Sequence, residues 1–534
     1  MANTGLAPIN RALNLVPKRA ESRQIEQLRD TFVDSGVAAA LEAVDHQVLY
    51  GRRGTGKTHA LRYLETVTRS RGDVAIYADL RTLGSPEGLF QGDRVTDTER
   101  AARLLVDLLG LIHDTLLEAA VDDESLISDG AFMSKLDALL DAITTVRVVG
   151  PIEVTDENQQ TAASANETKA GLTVGSAPGL SLGAGTSTSR GRTDGQRVTR
   201  KGNEEVGLNF GDVARALRGL TQAMSSKRVW LLLDEWSSVP TAIQPFLGAF
   251  VVRCLLPLQM FTVKIGAIEQ QANFRTELAD GQLIGIELGA DVAANVNLDE
   301  FMVFEQNEER ARAFFRGLLF KHLTLGVDEG EKVPGLDREA DLVRIGFTDK
   351  RAFDELVRAA EGVPRDAINI AAKAALRAQA GPISVPDVRA AAQAWFQADK
   401  AAALNSREEA RSLLNWVIDR VIKQKKARGF LVNQRASGTP LLLSLFDARV
   451  LHLVRRGYSA QDEPAERYDV YVIDYGAYVD LINTNNEPQG TLPLGDTAAS
   501  GFVDVPTQDL RALRRAVLDL DEFFAENSTS APTG

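Results

Sequence analysis

The chain has 534 residues, 44% of them hydrophobic and 25% charged, a composition typical of globular domains. Its net charge of -13 argues against a surface that is basic throughout, although a local basic patch is compatible with it. Cys254 is the only cysteine, which excludes an intrachain disulfide and suits a reducing interior. We see neither an export signal nor an apolar run long enough to span a membrane, so we expect a cytoplasmic protein.

The first part of the chain alternates predicted strands with predicted helices. Apolar runs at 46–50 and 74–78 are short and bounded by polar or turn residues, which is typical of buried strands. Helical spacing of apolar residues predicts helices at 58–68, 98–119 and 131–145. This alternation favours an α/β fold with a parallel sheet.

An eight-residue run after the first strand meets the pattern G-x-x-x-x-G-K-[ST]. Its glycines let backbone N–H groups converge on phosphate oxygens, and the following helix directs the positive end of its dipole to the same place. A lysine adds charge for the β- and γ-phosphates, and a threonine adds a hydroxyl for Mg²⁺. The predicted ligands of a nucleoside triphosphate are Gly51, Gly54, Thr55, Gly56, Lys57 and Thr58.

Residues 171–195 contain 7 Gly and 8 Ser or Thr, a glycine density that excludes a helix. One interpretation of this insert is a disordered loop. The other is a glycine-rich β-hairpin centred on Pro178 and Gly179. The alternating apolar residues of that hairpin would be Leu172, Val174, Leu180 and Leu182.

A predicted helix at 211–225 leads into a second signal, the apolar run 229–233 followed by Asp234 and Glu235. Acids at the carboxyl end of a buried strand lie where an α/β sheet keeps its ligand crevice. Asp234 is predicted to hold Mg²⁺, and Glu235 to polarise the water that attacks the γ-phosphorus. The alternative is a pair of solvated acids at a strand end.

Farther downstream, the run Glu361-Gly362-Val363-Pro364-Arg365-Asp366 opens an alanine-rich helix. With the two signals above, this motif makes residues 10–380 resemble the AAA+ ATPases, and in particular the origin-recognition initiator branch, as a bacterial, STAND-like relative. In that family a Gly-x-Pro-Arg motif opens a helix of the lid domain, and its arginine reaches the γ-phosphate. The resemblance implies that Arg365 is the lid sensor; the alternative is a surface arginine at a helix start.

The resemblance also implies roles for residues on either side of the core. The stretch 16–21 resembles the one that contacts the nucleotide base, which makes Arg19 a cofactor-binding candidate. Sensor 1 falls on Glu269 or Gln270, where the family usually has Asn or Thr. Arg275 is the nearest candidate for the arginine finger that completes a neighbour's site, which implies a homo-oligomer.

Between residues 410 and 470 the chain has 11 Lys plus Arg against 6 Asp plus Glu, a basic segment in an acidic protein. Helices followed by an aromatic strand near 468–475 resemble the winged helix with which initiator ATPases end. Such a domain can place one helix in the major groove. The predicted contacts to duplex DNA are Lys423, Lys425, Lys426 and Arg428. A solvated helix end on a protein-docking domain is the alternative.

The predicted architecture is α/β: a P-loop AAA+ module with a parallel sheet, a helical lid and a C-terminal winged-helix-like domain. The predicted segments are an N-terminal helical part (1–45), the ATPase core (46–298, with an insert at about 150–205), the lid (299–382), the winged-helix-like domain (383–490) and a tail (491–534). The expected activity is Mg²⁺-dependent ATP hydrolysis coupled to assembly on duplex DNA. Two alternatives stay open: a switch or scaffold ATPase of bacterial anti-phage defence that acts with a separate effector protein, and an ATP-dependent regulator of DNA transposition.

Overall fold

The computed structural model describes residues 5–20, 24–84, 96–123, 130–144, 146–156, 180–193, 196–224, 227–278, 280–299, 307–325, 327–328, 331–425, 427–459, 466–484 and 516–528. The chain divides into two compact units, each built from separate segments. The P-loop unit contains Met1–Ala40, Tyr50–Tyr63 and Asn297–Gly534. The sheet unit contains Leu41–Leu49 and Leu64–Val296. The domain boundaries expected from the sequence stay a prediction.

In chain order, the α-helices of the described residues are α1 (Pro8–Leu15), α2 (Ile25–Thr31), α3 (Ala38–Leu41), α4 (Lys57–Ser70), α5 (Asp97–Asp122), α6 (Ala131–Thr144), α7 (Phe210–Ala223), α8 (Gln244–Phe250), α9 (Glu308–Thr324), α10 (Glu339–Gly346), α11 (Lys350–Ala359), α12 (Pro364–Ala378), α13 (Val385–Trp395), α14 (Glu408–Ile418), α15 (Gln434–Ser437), α16 (Pro440–Asp447), α17 (Tyr475–Thr484) and α18 (Leu520–Ser528). Within these described parts of the chain, no helix combines the length and the apolar character needed to cross a membrane.

The strands of the described residues form four sheets, and these strands are given next in chain order. They are β1 (Gln47–Tyr50), β2 (Val74–Asp79), β3 (Val146–Asp156), β4 (Leu180–Thr193), β5 (Gln196–Leu208), β6 (Val229–Asp234), β7 (Phe261–Ala267), β8 (Arg275–Glu277), β9 (Leu283–Gly285), β10 (Ala293–Asn297), β11 (Gly429–Asn433), β12 (Leu451–Ser459), β13 (Arg467–Ile473) and β14 (Val517–Leu518). The largest sheet has five strands in the order β10-β1-β7-β6-β2.

The centre of this five-stranded sheet is parallel and buried. β2 pairs with β6 and β6 pairs with β7, both in parallel, and every residue of β6 and β7 is buried. Parallel strands covered on both faces need nearly continuous apolar sequence, which explains the composition of these runs. Lys264 in β7 is one of the exceptions, and its ammonium donates to the carbonyl of Ala43 at 2.7 Å and to Oε1 of Gln47 at 2.5 Å. The α/β fold with a parallel sheet is therefore confirmed.

Helix α5 shows how local sequence sets an element of the sheet unit. Thr96 accepts a hydrogen bond from the backbone of Glu99, and the Glu99 carboxylate accepts one from the backbone of Thr96. This reciprocal capping satisfies two N–H groups that a helix start leaves without partners. The leucines predicted to form its apolar stripe, among them Leu104, Leu108 and Leu116, are buried.

The insert contains a three-stranded antiparallel sheet in the order β3-β5-β4. The described residues of the insert are therefore not the disordered loop that their composition suggested. The hairpin that the structure describes is a different one from that expected, because Leu180 pairs with Leu208 and Thr193 pairs with Gln196. Pro178 and Gly179, the expected turn, lie outside the described residues. Cross-strand pairing along two long strands outweighs the weak strand propensity of glycine.

In the P-loop unit, helices from distant parts of the chain share one apolar core. Ile9 and Leu13 of α1 pack with α9 to α13 and with Tyr475 and Tyr478 of α17. The backbone N–H of Ala7 donates to the carbonyl of Gln379 at 2.9 Å, which fixes the start of α1 beside the end of α12. The N-terminal helix is thus part of the core that the predicted lid helices form.

The C-terminal part of the P-loop unit has a second core around a four-stranded sheet, ordered β12-β13-β11-β14. β12 and β13 form an antiparallel hairpin that follows helices α14 and α16, the order expected of a winged helix. β11 and β14 extend this hairpin into a wider sheet. Its identity as a winged helix stays a prediction.

Candidate active site

The P-loop begins where β1 ends and continues into the first turn of α4. Gly54 and Gly56 have φ of +90° and +101°, values that residues with a Cβ rarely adopt. Helix α4 starts at Lys57, directly after these two turns of the backbone. A glycine-rich turn that runs into a helix N-terminus is an arrangement that binds phosphate groups. The local geometry therefore fits a nucleotide polyphosphate.

Two side chains of the loop donate to carbonyls of the loop itself. The Lys57 ammonium donates to the carbonyl oxygens of Gly51 at 2.7 Å and Arg52 at 3.2 Å. The Thr55 hydroxyl donates to the carbonyl of Arg52 at 2.8 Å. Lys57 is only 6% exposed, so its charge lies within the curve of the loop. From this position it can exchange carbonyl acceptors for phosphate oxygens.

Helix α12, which opens with the Gly-x-Pro-Arg motif, reaches the P-loop. The backbone N–H of Arg365 donates to the carbonyl of Gly54 at 3.2 Å. A Cβ on Gly54 would lie 2.9 Å from the Cβ of Arg365, closer than such atoms approach in proteins. Close approach and positive φ thus both require glycine at position 54. The structure places the predicted lid sensor against the loop, with Arg365 half-buried.

Asp234, at the end of β6, is fully buried and held by two hydrogen bonds. The Tyr77 hydroxyl donates to its Oδ2 at 2.7 Å, and the backbone N–H of Glu235 donates to its Oδ1 at 2.8 Å. Each carboxylate oxygen can accept a further bond, so Asp234 keeps the capacity to bind a metal or its water. Tyr77 was not predicted, although its strand, β2, is the neighbour of β6 in the sheet.

Glu235 follows in a left-handed backbone conformation, with φ 57° and ψ 38°. Such a conformation is strained for a residue with a side chain and persists where the surroundings enforce it, often at functional sites. The Ser238 hydroxyl donates to one carboxylate oxygen at 3.4 Å, and Arg81 lies 3.8 Å from the other. The side chain is 19% exposed, which leaves it accessible to water. These are the properties expected of a carboxylate that orients an attacking water.

The end of β7 is tied to the segment that follows Glu235. The backbone N–H of Ile268 donates to the hydroxyl of Ser237 at 2.7 Å. The two sensor-1 candidates, Glu269 and Gln270, come next, in the short 3-10 helix Glu269–Gln271, and both are half-buried. Ser237 therefore connects the acidic segment to the position where sensor 1 was expected.

Among the residues that the structure describes, no group of three or more His, Cys, Asp or Glu is arranged to hold a metal ion. Mg²⁺ in nucleotide sites does not need such a group, because it keeps several waters and binds one or two protein oxygens together with the phosphates of the substrate. The hydroxyl of Thr58 and the carboxylate of Asp234 are oxygen donors of the kind that Mg²⁺ prefers. The chemistry of each of these residues, taken by itself, therefore fits Mg²⁺ delivered with a nucleotide.

Two further candidates lie on the surface of their units. Arg19 follows α1 and is exposed. Arg275 begins β8, in a small antiparallel pair with β9, and its side chain is 41% exposed. Its guanidinium lies 3.2 Å from the carboxylate of Glu287, which is itself 56% exposed. An exposed ion pair of this kind is weak, so a partner can replace it.

The four predicted DNA contacts differ in their surroundings. Lys423 and Lys425 are exposed, and Lys426 lies outside the described residues. Arg428 is 6% exposed and forms an ion pair with Glu361 of the Gly-x-Pro-Arg motif. Burial and pairing take Arg428 out of reach of a DNA phosphate. We therefore correct the expectation for Arg428, which has an internal structural contact.

One comparison with known proteins, a family model, agrees with the P-loop. Residues 15–83, which include the whole P-loop, match the family model described as ORC-CDC6-like. Among solved structures, the chain is similar to the Walker-type ATPase PABY2304 of Pyrococcus abyssi, with 13% identity, 88% of this chain and 99% of that chain covered, and a TM-score of 0.31. No curated protein matches the chain significantly. The family match and the P-loop geometry support a nucleotide-binding protein of the AAA+ ATPase class, similar to ORC and Cdc6 proteins around the P-loop.

Proposed function

We propose that this protein binds ATP with Mg²⁺ at the P-loop, hydrolyses it, and couples the nucleotide state to assembly on duplex DNA. The observation that carries the proposal is the contact between Gly54 of the P-loop and the backbone of Arg365. It supports a site in which phosphate-binding loop and lid arginine act together. The buried Asp234 and the strained Glu235 supply the acids that hydrolysis requires.

Each residue of the proposed site has a separate task. The loop glycines and Lys57 bind the phosphates, and Arg365 binds the γ-phosphate from the lid. Thr58 and Asp234 are the residues that would hold Mg²⁺, which would supply positive charge for the phosphates. Glu235 accepts a proton from water as the water oxygen bonds to the γ-phosphorus and the bond to the β–γ bridging oxygen breaks. Arg19 contacts the base.

Nucleotide binding is tested by titrating a fluorescent ATP analogue into the full chain. Lys57→Ala should abolish saturable binding, because it removes the ammonium that lies within the curve of the loop. Lys425→Ala removes an exposed lysine elsewhere and is the matched control, which should bind as the unmodified protein does. Equal binding by Lys57→Ala and the control would contradict the proposed site.

The insert supports duplex DNA as a partner. The register pairs Arg192 with Arg197 and Thr188 with Lys201. Directly paired residues of antiparallel strands share a face, and so do alternate residues of one strand. Four basic residues therefore occupy positions on one face near the end of the ribbon: Arg190, Arg192, Arg197 and Lys201. β3 ends at Asp156, opposite Val198, so β4 and β5 alone continue to Arg192 and Arg197. A two-stranded end of this kind fits the major groove, and basic residues attract the phosphates.

A switch ATPase that acts with a separate effector protein is the second candidate. The observation that favours it is the burial of Arg428 against Glu361, because it gives the basic C-terminal segment an internal contact. Measuring ATP hydrolysis and particle size with and without duplex DNA separates the two candidates. Stimulation and larger particles on DNA support the first. Indifference to DNA, with a response to a purified partner protein, supports the second.

A further inference from the structure

Arg52, inside the P-loop, is bonded to a part of the chain 400 residues away. Its Nη1 donates to Nδ1 of His452 at 3.0 Å and to the carbonyl of Leu451 at 3.2 Å. Its Nε donates to Asp299 at 2.7 Å, and its guanidinium lies 4.5 Å from the centre of the Phe446 ring. The side chain is 3% exposed, so these contacts are shielded from water. Arg52 is thus a structural link from the loop to the C-terminal segment, which we define as residues 396–484.

The hydrogen bonds of His452 define its tautomer. Arginine has only donors, so Nδ1 of His452 accepts the bond from Arg52. Nε2 must then carry the proton, and it donates to Oδ2 of Asp474 at 3.0 Å. Burial, with the charge of Arg52 beside it, lowers the pKa of His452 to about 3. The ring is therefore neutral at ordinary pH and joins a cation on one side to an anion on the other.

The connection continues from Asp474 to the helix of the predicted lid sensor. The Lys400 ammonium lies 2.5 Å from Oδ2 of Asp474 and 2.8 Å from Oδ2 of Asp366. None of these three side chains is more than 2% exposed. Arg449 also pairs with Asp366. Since Asp366 directly follows Arg365, whose backbone is bonded to Gly54, the contacts form a closed path that returns to the P-loop.

A second buried ion pair holds the Gly-x-Pro-Arg motif at its N-terminal end. Arg428 pairs with Glu361, which begins the motif in a left-handed conformation with φ 50°. Nε of Arg428 donates to the carbonyl of Ile473, the residue before Asp474. Both acids that flank the Gly-x-Pro-Arg sequence are therefore held by cations of the C-terminal segment.

We propose that this buried network makes nucleotide affinity at the P-loop depend on docking of the C-terminal segment, with Arg52 and His452 as positioning residues. The network consists of Arg52, Asp299, His452, Asp474, Lys400 and Asp366. Buried ion pairs are stable in one arrangement, because a buried charge that loses its partner without reaching water raises the free energy of the protein. Docking therefore preorganises the loop and the start of α12 together. Coupling is reciprocal, so bound nucleotide stabilises the docked segment. This inference rests on the ATP binding proposed above.

The carbonyl of Arg52 is where the phosphate site meets this network. It accepts hydrogen bonds from the hydroxyl of Thr55 and from the ammonium of Lys57. A shift of the Arg52 side chain with the C-terminal segment therefore moves the acceptor to which two loop residues are bonded. Since Lys57 also has to reach the phosphates, the position of Arg52 bears directly on nucleotide affinity.

The first test compares two substitutions of His452 by titration with a fluorescent ATP analogue. His452→Leu removes both hydrogen bonds, and we expect affinity to fall roughly 5- to 150-fold, the usual range of coupling between sites. His452→Gln keeps an acceptor and a donor and should recover most of that loss. His322→Gln, at a buried histidine outside the network, should bind normally. A folded His452→Leu protein with unchanged affinity overturns the proposal.

The second test needs no variant. Amide hydrogen exchange of the unmodified full chain is measured alone, with ADP and with a non-hydrolysable ATP analogue, and we expect slower exchange across β12 and β13 when nucleotide is bound. Exchange that is unchanged there, in a protein shown to bind nucleotide, overturns the coupling and leaves the proposed function intact. A full chain that binds no nucleotide at all contradicts both.

Discussion

Gly54 combines a left-handed turn with close contact to another helix. Its φ of +90° disfavours any side chain, and a Cβ would lie 2.9 Å from Cβ of Arg365 and 3.2 Å from the Val363 side chain. Gly72 has a similar φ of +87°, but a Cβ there would meet nothing within 4 Å. A side chain would be strained by the backbone conformation at both glycines, but it would clash with neighbouring atoms only at Gly54. Comparing the two positions therefore distinguishes backbone strain from steric clash.

We expect Gly54→Ala and Gly72→Ala each to lower the free energy of unfolding by about 1–3 kcal/mol, because both force alanine into a strained conformation. Only Gly54→Ala should also weaken nucleotide binding, since only there does the new methyl push against the helix of Arg365. Thermal unfolding and analogue titration measure the two effects. Equal nucleotide affinity in the two variants would contradict this assignment.

His452 gives a pH dependence with a defined sign. The folded protein holds its pKa at about 3, below the ordinary value of 6.5, so the unfolded chain binds this proton more tightly. The contribution of the neutral, buried His452 to the free energy of unfolding is complete above pH 6.5 and is lost as the pH falls toward 3. Below pH 6.5 the unfolding free energy of the unmodified protein should fall relative to that of His452→Gln, by about 1.4 kcal/mol per pH unit. If the plots of unfolding free energy against pH for the two proteins are parallel between pH 6.5 and 4, His452 does not titrate as described.

The hairpin of β4 and β5 carries the proposed DNA surface of the insert. Replacing Arg190, Arg192 and Arg197 with Glu should weaken duplex binding and reduce the slope of log affinity against log salt by about 0.9 for each phosphate that is no longer neutralised. Arg215→Glu is the control, because Arg215 is 78% exposed on a helix outside the hairpin. A slope that changes equally in both proteins would locate the DNA surface elsewhere.

The exposed lysines of the C-terminal segment make an independent prediction. Lys423→Glu and Lys425→Glu together should reduce the salt slope if the predicted helix end contacts the DNA backbone. Fluorescence anisotropy with a labelled duplex at several salt concentrations measures this. If the hairpin variants lose binding and the lysine variants do not, the C-terminal segment is a docking domain and the insert alone binds DNA.

Local patterns predicted most elements of the candidate nucleotide site. The P-loop and the acidic end of β6 were recognisable because a buried parallel strand and a glycine-rich turn each require particular residues over a few positions. The insert was harder, since glycine and serine gave no preference for strand until the pairing of Leu180 with Leu208 was known. Tyr77 was missed because its hydroxyl reaches Asp234 from a neighbouring strand, 157 residues away in sequence.

The network around Arg52 could not be predicted from the sequence. Arg52 is a variable position of the P-loop pattern, and its partner His452 lies 400 residues away. The same applies to Arg428, whose position in a run of lysines suggested a DNA contact although it pairs with Glu361. Clustered basic residues look alike in the sequence, but burial determines which of them pairs with a carboxylate and which is exposed to solvent.

Assembly of several chains into one active particle has its own test. If Arg275 completes the site of a neighbour, Lys57→Ala and Arg275→Ala are each inactive, for different reasons. Mixing the two proteins should restore part of the ATPase activity, because a subunit with an intact P-loop can border one with an intact Arg275. Steady-state phosphate release of the mixture measures this. A mixture no more active than the sum of its parts would contradict the role of Arg275.

Hydrolysis of ATP at the site of Glu235 is the central claim, and Glu235→Gln tests it most directly. The amide keeps the size of the side chain but cannot take a proton from water. We expect the variant to bind the ATP analogue as tightly as the unmodified protein and to release phosphate about 100- to 10,000-fold more slowly. Normal phosphate release by Glu235→Gln, measured alongside Lys57→Ala as the inactive reference, would contradict the account.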